Sequence, residues 1–192
     1  MENDARRTAT FFITGISASG KSTLGSRLRD DLIRDGADAV KLLDGEDIRK
    51  ELAMRRKVFG YSDQERKELA LEYARMAAEY NRKGVTCVLC AICHKEEIRE
   101  QMRVMIGCVM EVYLDCSVDT CARRDYKGNY EKAFHGLYDN FVGVTKPYEV
   151  SRDVELTLHT GKDTVEECSR ILLEAARRFL LADSEIRITK AS

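Results

Sequence analysis

Residues Gly15-Ile16-Ser17-Ala18-Ser19-Gly20-Lys21-Ser22 spell G-x-x-x-x-G-K-[ST], and this phosphate-loop pattern constrains the fold more than any other feature of the chain. It stands between residues 9–14 (ATFFIT), a short β-rich apolar run, and residues 21–34, where Leu24, Leu28 and Leu32 recur every four positions. That recurrence marks an amphipathic helix ending near Gly36. Strand, glycine loop and helix in that order are the context the pattern requires. Glycines let the backbone wrap phosphate oxygens closely, and successive N–H groups at a helix start supply positive potential. Gly15, Ser17, Ala18, Ser19 and Gly20 are therefore assigned to a nucleoside triphosphate. Lys21 goes to its β- and γ-phosphates, Ser22 to Mg²⁺, and Thr23 to an additional contact.

The rest of the chain repeats the alternation. Residues 39–43 (AVKLL) predict a second strand, and Ser62-Asp63-Gln64-Glu65 has capping-box spacing. The box opens a long helix with Leu69, Tyr73, Met76 and Tyr80 on one face, closing before Gly84. Strands are expected over 85–92, 109–114 and 154–158, with helices near 95–105, 118–125 and 163–182. A polar, Gly-dotted stretch, 126–147, holds the only proline, Pro147. Strands alternating with helices argue for an α/β fold, a parallel five-stranded sheet covered on both faces. One domain spans all 192 residues, with 1–7 and 183–192 expected as loose tails.

Composition narrows the function. Lys+Arg total 32 and Asp+Glu 33, for a net charge of −1, which gives no electrostatic footprint for nucleic acid or an anionic membrane. No run reaches the roughly 18 apolar residues of a membrane span, and the start Met1-Glu2-Asn3-Asp4 is no signal peptide, so a cytoplasmic protein is expected. Seven cysteines cannot form a fully paired disulfide framework. Cys87, Cys90 and Cys93 have metal-like spacing, but residues three apart on a strand point to opposite faces, so core packing is the expectation.

A GTP switch would need Asn-Lys-x-Asp after a later strand, and a motor an apolar run ending in Asp-Glu; the chain has neither. A small kinase remains. Leu43-Asp44-Gly45-Glu46-Asp47-Ile48-Arg49 directly follows the second strand, and strand C-terminal ends line the ligand crevice in parallel sheets. Asp44 and Glu46 should therefore face the γ-phosphate region, with Arg49 in reach of a second anionic ligand. A carboxylate there can take a hydroxyl proton or orient Mg²⁺.

Several blocks in this order resemble the adenylyl-sulfate (APS) kinase family, which are P-loop kinases. They are the loop, Leu43-Asp44-Gly45-Glu46 with Arg49, Gly60-Tyr61-Ser62 with Glu65-Arg66-Lys67-Glu68-Leu69, and Arg124-Asp125-Tyr126-Lys127-Gly128-Asn129-Tyr130. Phe141-Val142-Gly143-Val144 and Pro147-Tyr148-Glu149 complete the set. The resemblance implies ATP- and Mg²⁺-dependent phosphorylation of the ribose 3′-hydroxyl of adenylyl sulfate. It makes Asp44 the catalytic carboxylate and Lys127, on a lid over 126–147, the partner of charge developing in transfer. It puts Arg49, Arg66, Tyr61, Ile92 and Phe141 around the acceptor, Arg124 and Thr160 near the adenine, and Glu46 on the Mg²⁺ side. A homodimer is compatible with it.

The departures are Glu46 for an Asp, Leu69 for an Asn, Ala91-Ile92-Cys93-His94 for Phe-Ile-Ser-Pro, and Thr145-Lys146 for Asp-Asp. All are expected on the acceptor side, with His94 a candidate acceptor contact. They leave a second acceptor open, another 5′-modified nucleotide such as cytidine diphosphoramidate. A non-catalytic ATP-binding sensor is the third alternative.

Overall fold

The computed structural model describes residues 8–190, and side chains to Leu181. The tail expected over 1–7 and the last two residues of the other lie outside the described residues. Five strands form one parallel sheet in the order β2-β3-β1-β4-β5. They are β1 (Thr10–Thr14), β2 (Val40–Asp44), β3 (Thr86–Cys90), β4 (Val109–Leu114) and β5 (Leu156–Leu158). The helices are α1 (Lys21–Arg34), α2 (Gly45–Met54), α3 (Asp63–Arg82), α4 (Glu96–Ile106), α5 (Val118–Arg124), α6 (Asn129–Phe134) and α7 (Val165–Lys190).

Alternation along each strand divides the core between the two faces. Phe12, Leu43, Cys87 and Leu89 pack with Ile48, Leu69, Tyr73, Ile98 and Met102 of α2, α3 and α4. Phe11, Ile13, Val88, Cys90 and Val112 pack instead with Leu24, Leu28 and Leu32 of α1 and Leu172 of α7. Cys87 and Cys90 thus face opposite sides, as strand geometry requires. A third cluster, Ile16, Cys116, Cys121, Tyr130 and Val142, lies under the phosphate loop. Gly25 lets α1 approach β3 closely, since a Cβ there would stand 2.2 Å from Cys90 Sγ.

Two helices were not expected. Asp44 caps α2 by accepting from Glu46 N, and the helix buries Ile48 and Leu52. Six-residue α6 begins at Gly128, whose φ of 67° is left-handed. The C-terminal helix was expected to stop near 182, yet its backbone continues to Lys190. No Gly or Pro follows Arg178 to end it, so 183–190 extend the helix instead of forming a loose tail. Among the described residues no helix is long and apolar enough to cross a membrane.

Candidate active site

The sheet order fixes where a ligand can bind. β1 connects through α1 to β2 on one side, while its neighbour β3 connects through α4 to β4 on the other. Chains diverging from adjacent strands open a crevice beyond their C-terminal ends. A cleft of about 1070 Å³ lies there, lined by the phosphate loop, the start of α2, Tyr61, Arg66, Leu69, the end of β3 and the segment 124–142.

Ala18 and Gly20 turn the loop at φ 56° and 101°, and Gly20 stands at the N-cap of α1. Gly15, at φ 149°, lies beneath, where a Cβ would meet Leu114 O and Ser19 Oγ at 3.0 Å. It shapes the loop from below the residues that line the cleft. Ser17, Ala18, Ser19, Gly20, Lys21, Ser22 and Thr23 all line it. Lys21 Nζ donates to Ile16 O at 2.5 Å. Burial pushes its pKa down to about 8, against the opposing pull of Cys90, Cys121 and Asp44. Thr160 Oγ1 donates to Ser19 O (2.9 Å), and Arg124 donates to Thr160 O (2.8 Å). The two residues expected at the adenine end therefore also brace the loop.

Ser22 Oγ donates to Asp44 Oδ2 at 2.5 Å, and Asp44 Oδ1 accepts from Glu46 N at 2.9 Å. The helix cap and the loop together aim this carboxylate into the cleft. The cap follows from the sequence, because Asp before a helix satisfies an otherwise unpaired N–H. A hydroxyl beside a carboxylate is the hard-oxygen donor set that Mg²⁺ takes, so Ser22 and Asp44 fit the ion. The Glu46 carboxylate holds Lys127 Nζ at 2.6 Å and Lys50 Nζ at 3.3 Å. Those pairs, Lys127 foremost, hold Glu46 below the ordinary carboxylate pKa and Lys127 above the ordinary lysine value. Lys127 thus joins the lid to α2, and Glu46 is its anchor.

On the opposite wall the Arg49 and Arg66 guanidiniums lie 4.7 and 5.3 Å from the Tyr61 ring centre. Arg49 donates to Phe59 O and Gly60 O, and Arg66 to Tyr61 O and Asn140 O. Phe141 meets Tyr138 in parallel at 6.0 Å and Tyr130 edge-on at 4.8 Å. Leu69, Ala91 and Ile92 complete an apolar floor.

The departures do not all lie in the cleft. Cys93 packs in the core beneath it, its thiol pushed up to about 12 by burial. His94 is buried, with Nε2 3.7 Å from Asp63 Oδ1 and no hydrogen-bond partner. Thr145 bonds the Phe141 backbone, and Lys146 pairs with Asp63 at 3.0 Å. These four are not among the residues that line the cleft and border its floor and rim instead. Tyr73, Leu137, Tyr138 and Asn140 line the cleft unexpected. The last three fall in the stretch where the sequence has no periodicity, and only proximity to Phe141 marks them.

A family model described as adenylylsulphate kinase matches residues 7–159. An adenylyl-sulfate kinase of Bacillus velezensis is 33% identical over 181 residues, covering 93% of this chain and 90% of that one. One from Clostridium acetobutylicum is 35% identical over 167 residues, covering 86% and 82%. Among solved structures, the Mycobacterium tuberculosis APS kinase CysC in complex with AMPPNP and APS superposes with a TM-score of 0.80 at 27% identity, covering 89% and 98%.

Proposed function

The chain belongs to the adenylylsulphate kinase family, and on that basis we propose that it transfers the γ-phosphate of ATP to the ribose 3′-hydroxyl of adenylyl sulfate. The observation that carries this reading is the Ser22–Asp44 contact of 2.5 Å. It places a carboxylate on the phosphate loop itself, inside a cleft whose other wall is aromatic and cationic. That cleft, at about 1070 Å³, sits at the upper end of small-molecule sites, as two bound nucleotides require.

The chemistry follows from these groups. The loop N–H groups and Lys21 hold the β- and γ-phosphates, while Arg124 and Thr160 stand at the adenine end. Tyr61 and Phe141 stack the acceptor base, and Arg49 and Arg66 face its anionic end. The acceptor hydroxyl attacks the γ-phosphorus, the bond to the bridging oxygen breaks, and the hydroxyl proton passes to Asp44. Lys127 exchanges Glu46 for phosphate oxygens as charge develops. Ser22 and Asp44 would hold Mg²⁺, which when bound neutralises phosphate charge. A cytoplasmic setting goes with this reading.

One observation favours a second acceptor. Leu69, 4% exposed, lies on the cleft floor and cannot donate a hydrogen bond. A floor of that kind suits a different 5′-substituent on the same type of nucleotide. Incubation with ATP, Mg²⁺ and a panel of 5′-modified nucleotides, read by product mass, tests both. Adenylyl sulfate gaining one phosphate, faster than any other member, is the expected result. Faster phosphorylation of a cytidine nucleotide selects the second acceptor, and phosphorylation of none returns the sensor.

A further inference from the structure

Tyr130 stands behind the cleft wall, 1% exposed, and touches both halves of the site. Its hydroxyl donates to Ser17 O at 2.9 Å, and its ring meets Phe141 edge-on at 4.8 Å. Its backbone N–H donates to Asp125 Oδ2 at 2.8 Å, which ties it to the turn carrying Lys127. The Ser17 carbonyl belongs to the peptide whose N–H is that of Ala18. In a trans peptide the two groups point in opposite directions. A hydroxyl that draws the carbonyl inward therefore turns the Ala18 N–H outward, to the cleft that Ala18 lines. Ala18 itself holds φ 56°, a left-handed conformation that a non-glycine residue keeps only where its surroundings enforce it. Loop, lid and acceptor wall thus share one buried side chain.

We propose that Tyr130 is a positioning residue for phosphoryl transfer, which fixes the Ala18 amide toward the phosphates and sets the spacing between them and the Phe141 wall. This rests on the kinase reading above. It assigns Tyr130 no contact with either substrate. Its hydroxyl governs alignment of the two, and its ring governs the acceptor wall.

Tyr130→Phe keeps the ring and its packing while removing the bond to Ser17 O, so it separates alignment from folding. With ATP, Mg²⁺ and adenylyl sulfate, kcat is expected to fall about tenfold, as loss of one aiming hydrogen bond in a reaction of this kind implies. KM for ATP and for adenylyl sulfate should change less than about threefold, because the charges and rings that bind them remain. Misaligned γ-phosphate should also go to water, so ATP consumed per phosphorylated acceptor rises above the wild-type ratio. Tyr130→Leu, which also removes the edge contact with Phe141, should raise the acceptor KM as well.

Hydrogen exchange in the protein without substrates supplies an arm independent of the acceptor. Amides of residues 17–20 and 129–134 should exchange faster together in Tyr130→Phe. Unchanged exchange overturns the proposal whichever nucleotide is the acceptor. So does an active wild type whose Tyr130→Phe variant keeps both kcat and the consumption ratio. Wild type that fails on adenylyl sulfate counts against the acceptor reading alone, and the exchange arm then decides for Tyr130.

Discussion

Lys21 is held under the loop it serves, and its ammonium pays for burial with a pKa lowered to about 8. A bound triphosphate restores the favoured charged form, so binding must draw a proton from solvent near that pH. At pH 8 the free side chain is about half protonated and the bound one nearly fully, an uptake of about half a proton that fades below pH 7. Calorimetric titration with ATP in buffers of different ionisation heat reads this directly; heats that do not depend on the buffer would contradict it. Above pH 8 the affinity should fall, because the free lysine is increasingly neutral. Lys21→Ala should abolish the uptake and lower kcat by about 10²–10³-fold, the scale of one lost transition-state donor. Asp44 makes a different prediction. Both its oxygens are engaged, by Ser22 Oγ and by Glu46 N, so Asp44→Asn keeps the shape and the cap. Affinity for ATP measured without Mg²⁺ should stay within about threefold, while kcat with Mg²⁺ drops at least about 10²-fold, the range of general-base loss. A nearly normal rate would move the proton to another group. Lys21 and Ser22 were read from the loop pattern and Asp44 from its place just after a strand, but the Ser22–Asp44 contact, 22 residues apart, depends on the sheet order. The pairing of Glu46 with Lys127 was not readable, since the two are 81 residues apart.

At the scale of elements, legibility followed period and length. Fourteen-residue α1 (Lys21–Arg34) and twenty-residue α3 (Asp63–Arg82) carry clear apolar faces and were placed with their bounds nearly unchanged. Helix α2 carried two buried positions, Ile48 and Leu52, in ten residues, and its first residues read equally well as a turn. Helix α6 is held by Asp125, Ser17 and Phe141 rather than by its own periodicity, so its six residues give no signal. The close approach of α1 to β3 offers a stability test. Gly25→Ala would push a methyl to 2.2 Å from Cys90 Sγ, and overpacking of that kind costs about 1–3 kcal/mol. Thermal unfolding should drop by several degrees and return most of the way in Gly25→Ala/Cys90→Ala. An equal drop in the double variant would remove the contact as the cause. The lid makes the matching dynamic prediction. Its tie to α2 is the exposed Lys127–Glu46 pair, worth at most about 1 kcal/mol. Hydrogen exchange over 126–128, ahead of the Tyr130 anchor, should therefore slow markedly only when ATP analogue and acceptor are both bound. Equal protection with and without them would make the segment a fixed wall.

For the whole molecule, the alternation of strands and helices was enough to give a parallel five-stranded sheet. The order β2-β3-β1-β4-β5 was not readable, because strand neighbours are chosen by packing between distant segments. That order is what puts the phosphate loop after β1, Asp44 at the end of β2 and the Ala91–Ile92 floor after β3 around one crevice. The acceptor wall needed more still. Tyr61 and Phe141 come from separate loops and Arg66 from the first turn of α3, and only resemblance to a family grouped them in advance. Cys93 and His94, read as facing the acceptor, lie behind the floor because the chain turns into the core after Ile92. The central claim is transfer of one phosphoryl group from ATP to the 3′-hydroxyl held between these walls. Phosphorus NMR of the product from ATP, Mg²⁺ and adenylyl sulfate tests it most directly. One new monoester signal coupled to the ribose H3′ is expected, with ADP formed in equal amount. ADP accompanied only by inorganic phosphate, or a monoester coupled to another ribose proton, would contradict it.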